Sequence, residues 1–286
     1  MKKSALAYLG PEGTHTHEAA QMFITHYAAK SATKDAYKLV PFPDIPTIME
    51  AVANGSVEQG IVPAENSIEG TVNLTLDILA QELDLYIQGE IVLDITHHLL
   101  TFLTDIAAIQ TVMSHPQALA QCRHFLKRYL PQVTILQKES TAEAVRLLTK
   151  QKHKNAAAIG SFASHQHYRV PIRYANINDF PHNQTRFLLV GKNPVSLSTN
   201  TQKTSFVMFP HDNRPGQLYE ILSVFAKYQI NLSKIESRPQ KRELGIYLFW
   251  VDCELSLNHP KLQVILNELR TKTKYYKILG SYPVYR

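Results

Sequence analysis

The chain has 286 residues, 44% of them hydrophobic, which is enough for two or three compact units, each with a core of its own. Its formal charge of +6 comes from 30 Lys and Arg against 24 Asp and Glu, and these are scattered, with modest clusters only at Lys241-Arg242 and from Arg270 to Lys277. That pattern argues against nucleic-acid binding and suits a small anionic metabolite.

Ala5 to Leu9 reads as the first strand. After Met1-Lys2-Lys3 it resembles the start of a secretory signal, but Gly10-Pro11-Glu12 ends it well short of a signal core or a membrane span. A helix is expected from Thr14 or Thr16, with Phe23 and Tyr27 on one face and Ala19 and Ala20 a turn earlier. Tyr37 to Val40 is the next strand. A helix then runs from about Pro46 to a stop at Gly55, and a strand covers Gly60 to Pro63. Thr71 to Gln81 reads as helix, Tyr86 to Leu103 holds β-type runs, Ile109 to Met113 is a strand, and Pro116 opens a helix towards Leu130. Val133 to Leu136 returns as a strand, and Ser140-Thr141-Ala142-Glu143 is a capping box for the following helix. Ala156 to Ile159 and Arg186 to Val190 complete an alternation of strand and helix that implies mainly parallel sheets.

From Asn193 to Lys203 apolar anchors are few, and Pro194, Ser196, Ser198, Thr199, Asn200 and Thr201 mark a linker. Beyond it the order is strand (Ser205 to Phe209), helix (Leu218 to Tyr228), strand (Ile230 to Glu236), strand (Gly245 to Cys253), helix (Lys261 to Arg270) and strand (Ile278 to Val284). This is the ferredoxin-like βαββαβ arrangement. Cys122 and Cys253 lie far apart and match no metal or redox spacing, so they read as buried thiols of a reducing cytoplasm.

Ligands of parallel α/β sheets gather where strands lead into helix N-termini. Four polar clusters fit. Gly10-Pro11-Glu12-Gly13-Thr14 either brings backbone N–H groups close to a carboxylate or is an ordinary turn. Ala64-Glu65-Asn66-Ser67 offers an acid, an amide and a hydroxyl, or simply caps its own loop. Ser114-His115-Pro116-Gln117 places Ser114 as a helix N-cap or as a ligand donor. In Asn183-Gln184-Thr185-Arg186-Phe187, Arg186 can hold a carboxylate or join a salt bridge, and Thr185 can donate to a leaving hydroxyl. No P-loop, G-x-G-x-x-G, G-x-S-x-G or H-E-x-x-H occurs, and His97-His98, His15/His17 and His165/His167 lack ligand partners at metal spacing, so no metal is expected.

In order along the chain, Tyr8 to Thr14, Val62 to Ser67 with Gly70, Ser114 to Cys122, Ser140-Thr141-Ala142, Ile159-Gly160-Ser161 and Asn183 to Phe187 resemble the prephenate dehydratase family. Arg214-Pro215-Gly216-Gln217-Leu218, Ile230-Asn231-Leu232 and Glu236-Ser237-Arg238-Pro239 resemble its ACT regulatory domain. The first motif starts at Tyr8, and no chorismate mutase domain is expected ahead of it.

The resemblance implies a catalytic region over residues 1–195 with a two-lobed fold like that of periplasmic binding proteins. One lobe would hold about 1–75 and 177–195 and the other about 76–176, with the substrate prephenate enclosed between them. A linker at 196–203 and an ACT domain at 204–286 follow. Prephenate loses carbon dioxide and hydroxide to become aromatic, so no cofactor is expected. Thr185 is implied as the catalytic donor, with Glu65 or His115 as a further proton source. Thr14, Asn66, Ser67, Ser114, Gln121, Arg186 and Phe187 would line the site, with Arg186 on the pyruvyl carboxylate. Phenylalanine is the implied effector, held by Asn213, Pro215, Gly216, Gln217, Leu218, Asn231, Glu236, Ser237, Arg238 and Pro239 at ACT interfaces of a dimer or tetramer. Two departures stand out. His15 replaces the family's usual phenylalanine and is expected to pack as a neutral ring or to tune the local charge, and Gln217 replaces a small alanine in the effector loop.

Overall fold

A computed structural model of the chain describes residues 4–27, 37–150, 155–195, 202–212, 214–241 and 243–286. Most of the expected linker, together with Asn213 and Arg242, lies outside the described residues. In chain order the elements are β1 (Ser4–Leu9), α1 (His15–Met22), β2 (Tyr37–Phe42), α2 (Ile45–Ala53), β3 (Gln59–Asn66), β4 (Gly70–Thr71), α3 (Asn73–Asp77), β5 (Tyr86–Asp94) and β6 (His98–Leu100). There follow β7 (Thr111–Ser114), α4 (Pro116–Gln121), α5 (Arg123–Tyr129), β8 (Thr134–Gln137), α6 (Thr141–Leu148), β9 (Ala156–Gly160), α7 (Phe162–Tyr168), β10 (Ile172–Tyr174) and β11 (Gln184–Gly191). The C-terminal set is β12 (Lys203–Pro210), α8 (Gln217–Lys227), β13 (Leu232–Pro239), β14 (Tyr247–Cys253), α9 (Pro260–Lys272), β15 (Thr273–Tyr282) and β16 (Val284–Tyr285).

The chain divides into two compact units. One holds Met1–Ile45, Glu65–Thr71 and Val92–Phe187, and the other Pro46–Ala64, Val72–Ile91 and Leu188–Arg286. These units cut across the lobe boundaries drawn from the sequence, because 46–64 and 72–91 group with the C-terminal residues.

In the first unit β1 runs parallel to β2, from Ser4 opposite Tyr37 to Leu9 opposite Phe42. A five-stranded sheet has the order β10-β6-β9-β7-β8. It is mixed rather than mainly parallel: β7 is parallel to β8 and β9, while β6 is antiparallel to β9 and β10 to β6. β6 leads into β7 of the same sheet by a short connection without an α-helix, so no helical crossover imposes the parallel direction on it. β9 is buried throughout and alternates between two cores. Ala157 and Ile159 join Leu99, Val112, Leu119 and Leu126, while Ala156 and Ala158 join Leu100, Met113, Val145 and Leu148. Burying each large aliphatic side chain contributes about 1.5–3 kcal/mol.

The single helix expected from Pro116 to Leu130 is two. Cys122 (φ −119, ψ 17) breaks it, because Asp179 intervenes: its N–H takes the Gln121 carbonyl at 2.7 Å, and its carboxylate caps α5 at the His124 N–H, 3.1 Å away. The capping box is half formed. Ser140 Oγ accepts from the Glu143 N–H at 3.0 Å, but the Glu143 carboxylate binds Arg146 instead of reaching back.

In the second unit a four-stranded antiparallel sheet, β13-β14-β12-β15, carries α8 and α9. Phe206, Met208, Ile221, Phe225, Val251 and Leu262 form the core between them, so the βαββαβ order folds as expected. β16 pairs with β5 in parallel, Val284 opposite Glu90. Beside it Gly280 lies so close to Ile87 that a Cβ would meet that residue's carbonyl oxygen at 2.2 Å, which only glycine tolerates. Among the described residues no helix is long and apolar enough to cross a membrane.

Candidate active site

The turn after β1 is fixed from within the first unit. Gly13 has φ +86, a left-handed conformation that glycine accepts without strain. Its carbonyl accepts from both Ser161 Oγ and Ser164 Oγ, each at 2.7 Å. Its N–H donates to His17 Nδ1 at 2.9 Å, and the Gly10 N–H donates to the Phe42 carbonyl. These two N–H groups are therefore spent on the protein rather than offered to an anion. Thr14 caps α1, accepting from the His17 N–H at 3.3 Å while its hydroxyl donates to the Leu9 carbonyl. Burial holds the His17 imidazole below its usual pKa and favours the neutral ring, which accepts the Gly13 N–H.

The turn joining β3 to β4 brings Asn66 to the start of β11. Asn66 Oδ1 accepts from the backbone N–H groups of Ile68 and Glu69, both at 3.0 Å. Its Nδ2 donates to Asn183 Oδ1 at 2.7 Å and to Thr185 Oγ1 at 2.9 Å, with the Gln184 carbonyl a longer third acceptor at 3.2 Å. Ser67 is tied to the same strand, with its Oγ accepting from the Gln184 N–H at 2.9 Å. Thr185 is 9% exposed and Phe187, two residues on along the same face, is 2% exposed. Phe187 thus packs behind Thr185 as part of the core, not as a wall open to ligand. Neighbouring residues of a strand point to opposite faces, so Arg186 turns away from Thr185. Its guanidinium lies 3.8 Å from the Glu65 carboxylate.

The cluster after β7 differs from expectation. Ser114 is fully buried and its hydroxyl donates to the Ile159 carbonyl at 2.7 Å, so it does not cap α4. His115 does, accepting from the Gln117 N–H at Nδ1. Gln121 is 4% exposed and faces protein groups: Oε1 meets His97 Nε2 at 3.1 Å and Asn183 Nδ2 at 2.9 Å, and Nε2 donates to Glu69 Oε1 at 3.2 Å. His15 stands with its ring edge-on to His97 at 5.7 Å and 3.4 Å from Glu18. The structure therefore gathers Asn66, Thr185 and Gln121 into one network. It adds His97, Asn183 and Glu69, for which no role was read from the sequence. Asn183 opened a recognised motif, but nothing local to His97 announces a partner on α4.

The residues expected to hold an effector belong to the second unit and fall into two groups. Gly216, Gln217 and Leu218 line a cavity of about 1590 Å³, with Tyr86, Lys241 and Tyr247 among its other walls. Pro215 is exposed beside them. Gln217 is 5% exposed, and its Nε2 donates to the Lys272 carbonyl at 2.7 Å, joining the start of α8 to the end of α9. The other group does not line that cavity. Asn231 donates to Glu254, Glu236 lies 3.6 Å from Lys234, and Ser237 and Pro239 are exposed. Arg238 is committed to protein, binding both Asp77 carboxylate oxygens, at 2.9 and 3.0 Å, and Asn73 Oδ1 at 2.7 Å.

Residues 6–195 match the family described as prephenate dehydratase, and residues 211–270 match the ACT domain. A prephenate dehydratase of Methanocaldococcus jannaschii is 41% identical over 98% of this chain and 98% of its own length. One from Bacillus subtilis is 33% identical over 98% and 99%. Among solved structures, the prephenate dehydratase of Arthrobacter aurescens in complex with L-Phe superposes with a TM-score of 0.86 at 31% identity, covering 98% of this chain and 90% of that one.

Proposed function

This chain belongs to the prephenate dehydratase family, enzymes that are lyases, and carries the family's ACT domain; from that premise we propose how its own residues serve the reaction. The chain converts prephenate to phenylpyruvate on the way to phenylalanine. The ring carboxylate leaves as carbon dioxide, its bonding electrons enter the ring, and the ring C–O bond breaks as hydroxide departs and takes up a proton to become water. Aromaticity drives the step, so the protein mainly positions the substrate and stabilises the departing oxygen.

Thr185 donates a hydrogen bond to that oxygen. The observation that carries this reading is the state of its hydroxyl: nearly buried, with Oγ1 accepting from Asn66 and no hydrogen bond donated to a protein group among the described residues. Arg186 leaves β11 on the face opposite Thr185, and its long side chain beside Glu65 takes the pyruvyl carboxylate, at the end of the substrate away from the departing hydroxyl, as a bidentate partner. A firm grip on the ring carboxylate would stabilise the ground state instead. Glu65, beside Arg186, sets the local charge, and His115, whose Nδ1 accepts from the Gln117 N–H, offers Nε2–H as a second hydrogen-bond donor to the departing oxygen, while the proton that hydroxide takes up comes from water.

Phenylalanine acts at the ACT domain in a homodimer or tetramer. Large apolar side chains stand uncovered on that domain, Tyr219 at 75% and Leu244 at 101% exposure, and inhibition requires the effector to favour a less active arrangement. The free, buried thiols Cys122 and Cys253 suit a cytoplasmic enzyme.

The test is to incubate the protein with prephenate or arogenate and follow phenylpyruvate or phenylalanine, with and without added phenylalanine. Prephenate is expected to turn over. Thr185→Ala should lose about 10²–10³ in kcat, the scale for removing a donor to a developing anion, while Thr185→Ser keeps most of it. Faster turnover of arogenate would reassign the substrate. No product from either, or near-normal activity in Thr185→Ala, would refute the reading.

A further inference from the structure

The ends of a side-chain amide are told apart by their partners, and around Thr185 the partners fix which way each amide faces. Asn66 Oδ1 receives two backbone N–H groups, which can only donate, so Nδ2 is the end turned to Asn183 and Thr185. From the opposite side, the Glu69 carboxylate accepts from Gln121, so Gln121 Nε2 faces Glu69 and Oε1 faces inward. Both ends impose the same orientation on Asn183 between them: Oδ1 accepts from Asn66, and Nδ2 donates to Gln121 Oε1. His97 Nε2, 3.1 Å from the same Oε1, must then carry the proton. Asn183, Gln121 and His97 are 2%, 4% and 4% exposed, so water does not compete for these bonds.

We propose that Asn183 and His97 are positioning residues for the dehydration, the distal members of a hydrogen-bond network of fixed orientation, converging on Gln121 Oε1 and joined through Asn183 to Asn66, that keeps an N–H pointed at Thr185 Oγ1. This rests on the reading of Thr185 as the donor. With that lone pair filled by Asn66, the Thr185 O–H must turn to another acceptor, and the departing hydroxyl is that acceptor. Donation into Oγ1 also polarises the O–H and makes a weakly acidic alcohol a better donor. Gln121 then serves by holding Asn183, and through it Asn66, rather than by lining the substrate. Burial, with His15 alongside as the next contribution, pushes the His97 pKa down to about 3, so the ring stays neutral and its tautomer stays fixed. Among the described residues His97 Nδ1 has no hydrogen-bond partner. Among these residues the ring's hydrogen bonding is through Nε2 alone.

The test pairs kinetics with a direct view of the ring. His97→Leu removes the Nε2 donor and should lower kcat at least about tenfold with KM within about twofold, the pattern of an interaction made in the transition state. His97→Gln, whose amide can reach Gln121 Oε1, should recover most of that loss. Nitrogen NMR of the labelled wild type should show Nε2 protonated and Nδ1 bare across neutral pH, a result that needs no substrate and does not depend on either variant folding. Wild-type kcat in His97→Leu, no recovery in a folded His97→Gln, or a proton on Nδ1 would each overturn the proposal. A wild type that makes no phenylpyruvate overturns the role in dehydration, and the NMR spectrum then shows separately whether the chain of bonds exists.

Discussion

Arg238 and Asp77 make the pair whose removal gives the most calculable effect. Their side chains are 14% and 10% exposed, and the carboxylate takes two guanidinium N–H groups. An exposed pair is worth about 0–1 kcal/mol, whereas breaking a buried one costs about 3–5 kcal/mol because a charge is left unpaired. At this burial Asp77→Asn should cost about 2–3 kcal/mol. The amide can accept one of the two bonds, but its NH2 then faces a guanidinium donor. Burial alone would raise the Asp77 carboxyl pKa, but hydrogen bonds from Arg238 and Lys241 outweigh it and hold the group below its usual value. The stabilisation is therefore complete above about pH 4, the ordinary aspartate range, and is lost as pH falls through the lower folded-state value. Urea denaturation of Asp77→Asn, Arg238→Gln and the double variant at neutral pH gives the coupling directly. We expect about 1–2 kcal/mol, fading under acid. A coupling below about 0.5 kcal/mol at neutral pH would place the pair in the exposed class and refute the assignment.

Two further outcomes follow from the same geometry. Arg186→Ala should raise KM for prephenate far more than it lowers kcat, as expected for a residue gripping the non-reacting carboxylate; steady-state kinetics showing a collapse of kcat with KM unchanged would contradict this. Gln217→Ala should lose about 1–2 kcal/mol of stability by leaving the Lys272 carbonyl without its donor. Its phenylalanine titration should stay within about twofold of wild type because the wild-type side chain is tied back to α9; a large gain in sensitivity would show that Gln217 itself obstructs the effector.

Much of the site was written locally. Thr14, Asn66 and Thr185 stand in short polar clusters at strand ends, and such clusters are legible because caps and turns are made by near neighbours in sequence. The C-terminal βαββαβ order was legible for the same reason: each strand and helix declares its own period. What failed were inferences that needed a distant partner. Ser114 looked like a cap until the Ile159 carbonyl claimed its hydroxyl, and the helix after Pro116 looked continuous until Asp179 arrived from far along the chain to break it.

Arg238 shows the same limit from the other side. Its motif marked it for an effector, but Asp77 and Asn73 already occupy its guanidinium. Residue order alone settles which chemistry is present, a hydroxyl, an arginine and amides at strand ends, and which elements carry it. The direction of each hydrogen bond is set by the folded chain, because a buried amide or imidazole takes its orientation from partners that can donate or accept in one sense alone, and those partners come from Asn66, Gln121 and His97, on segments far apart in sequence.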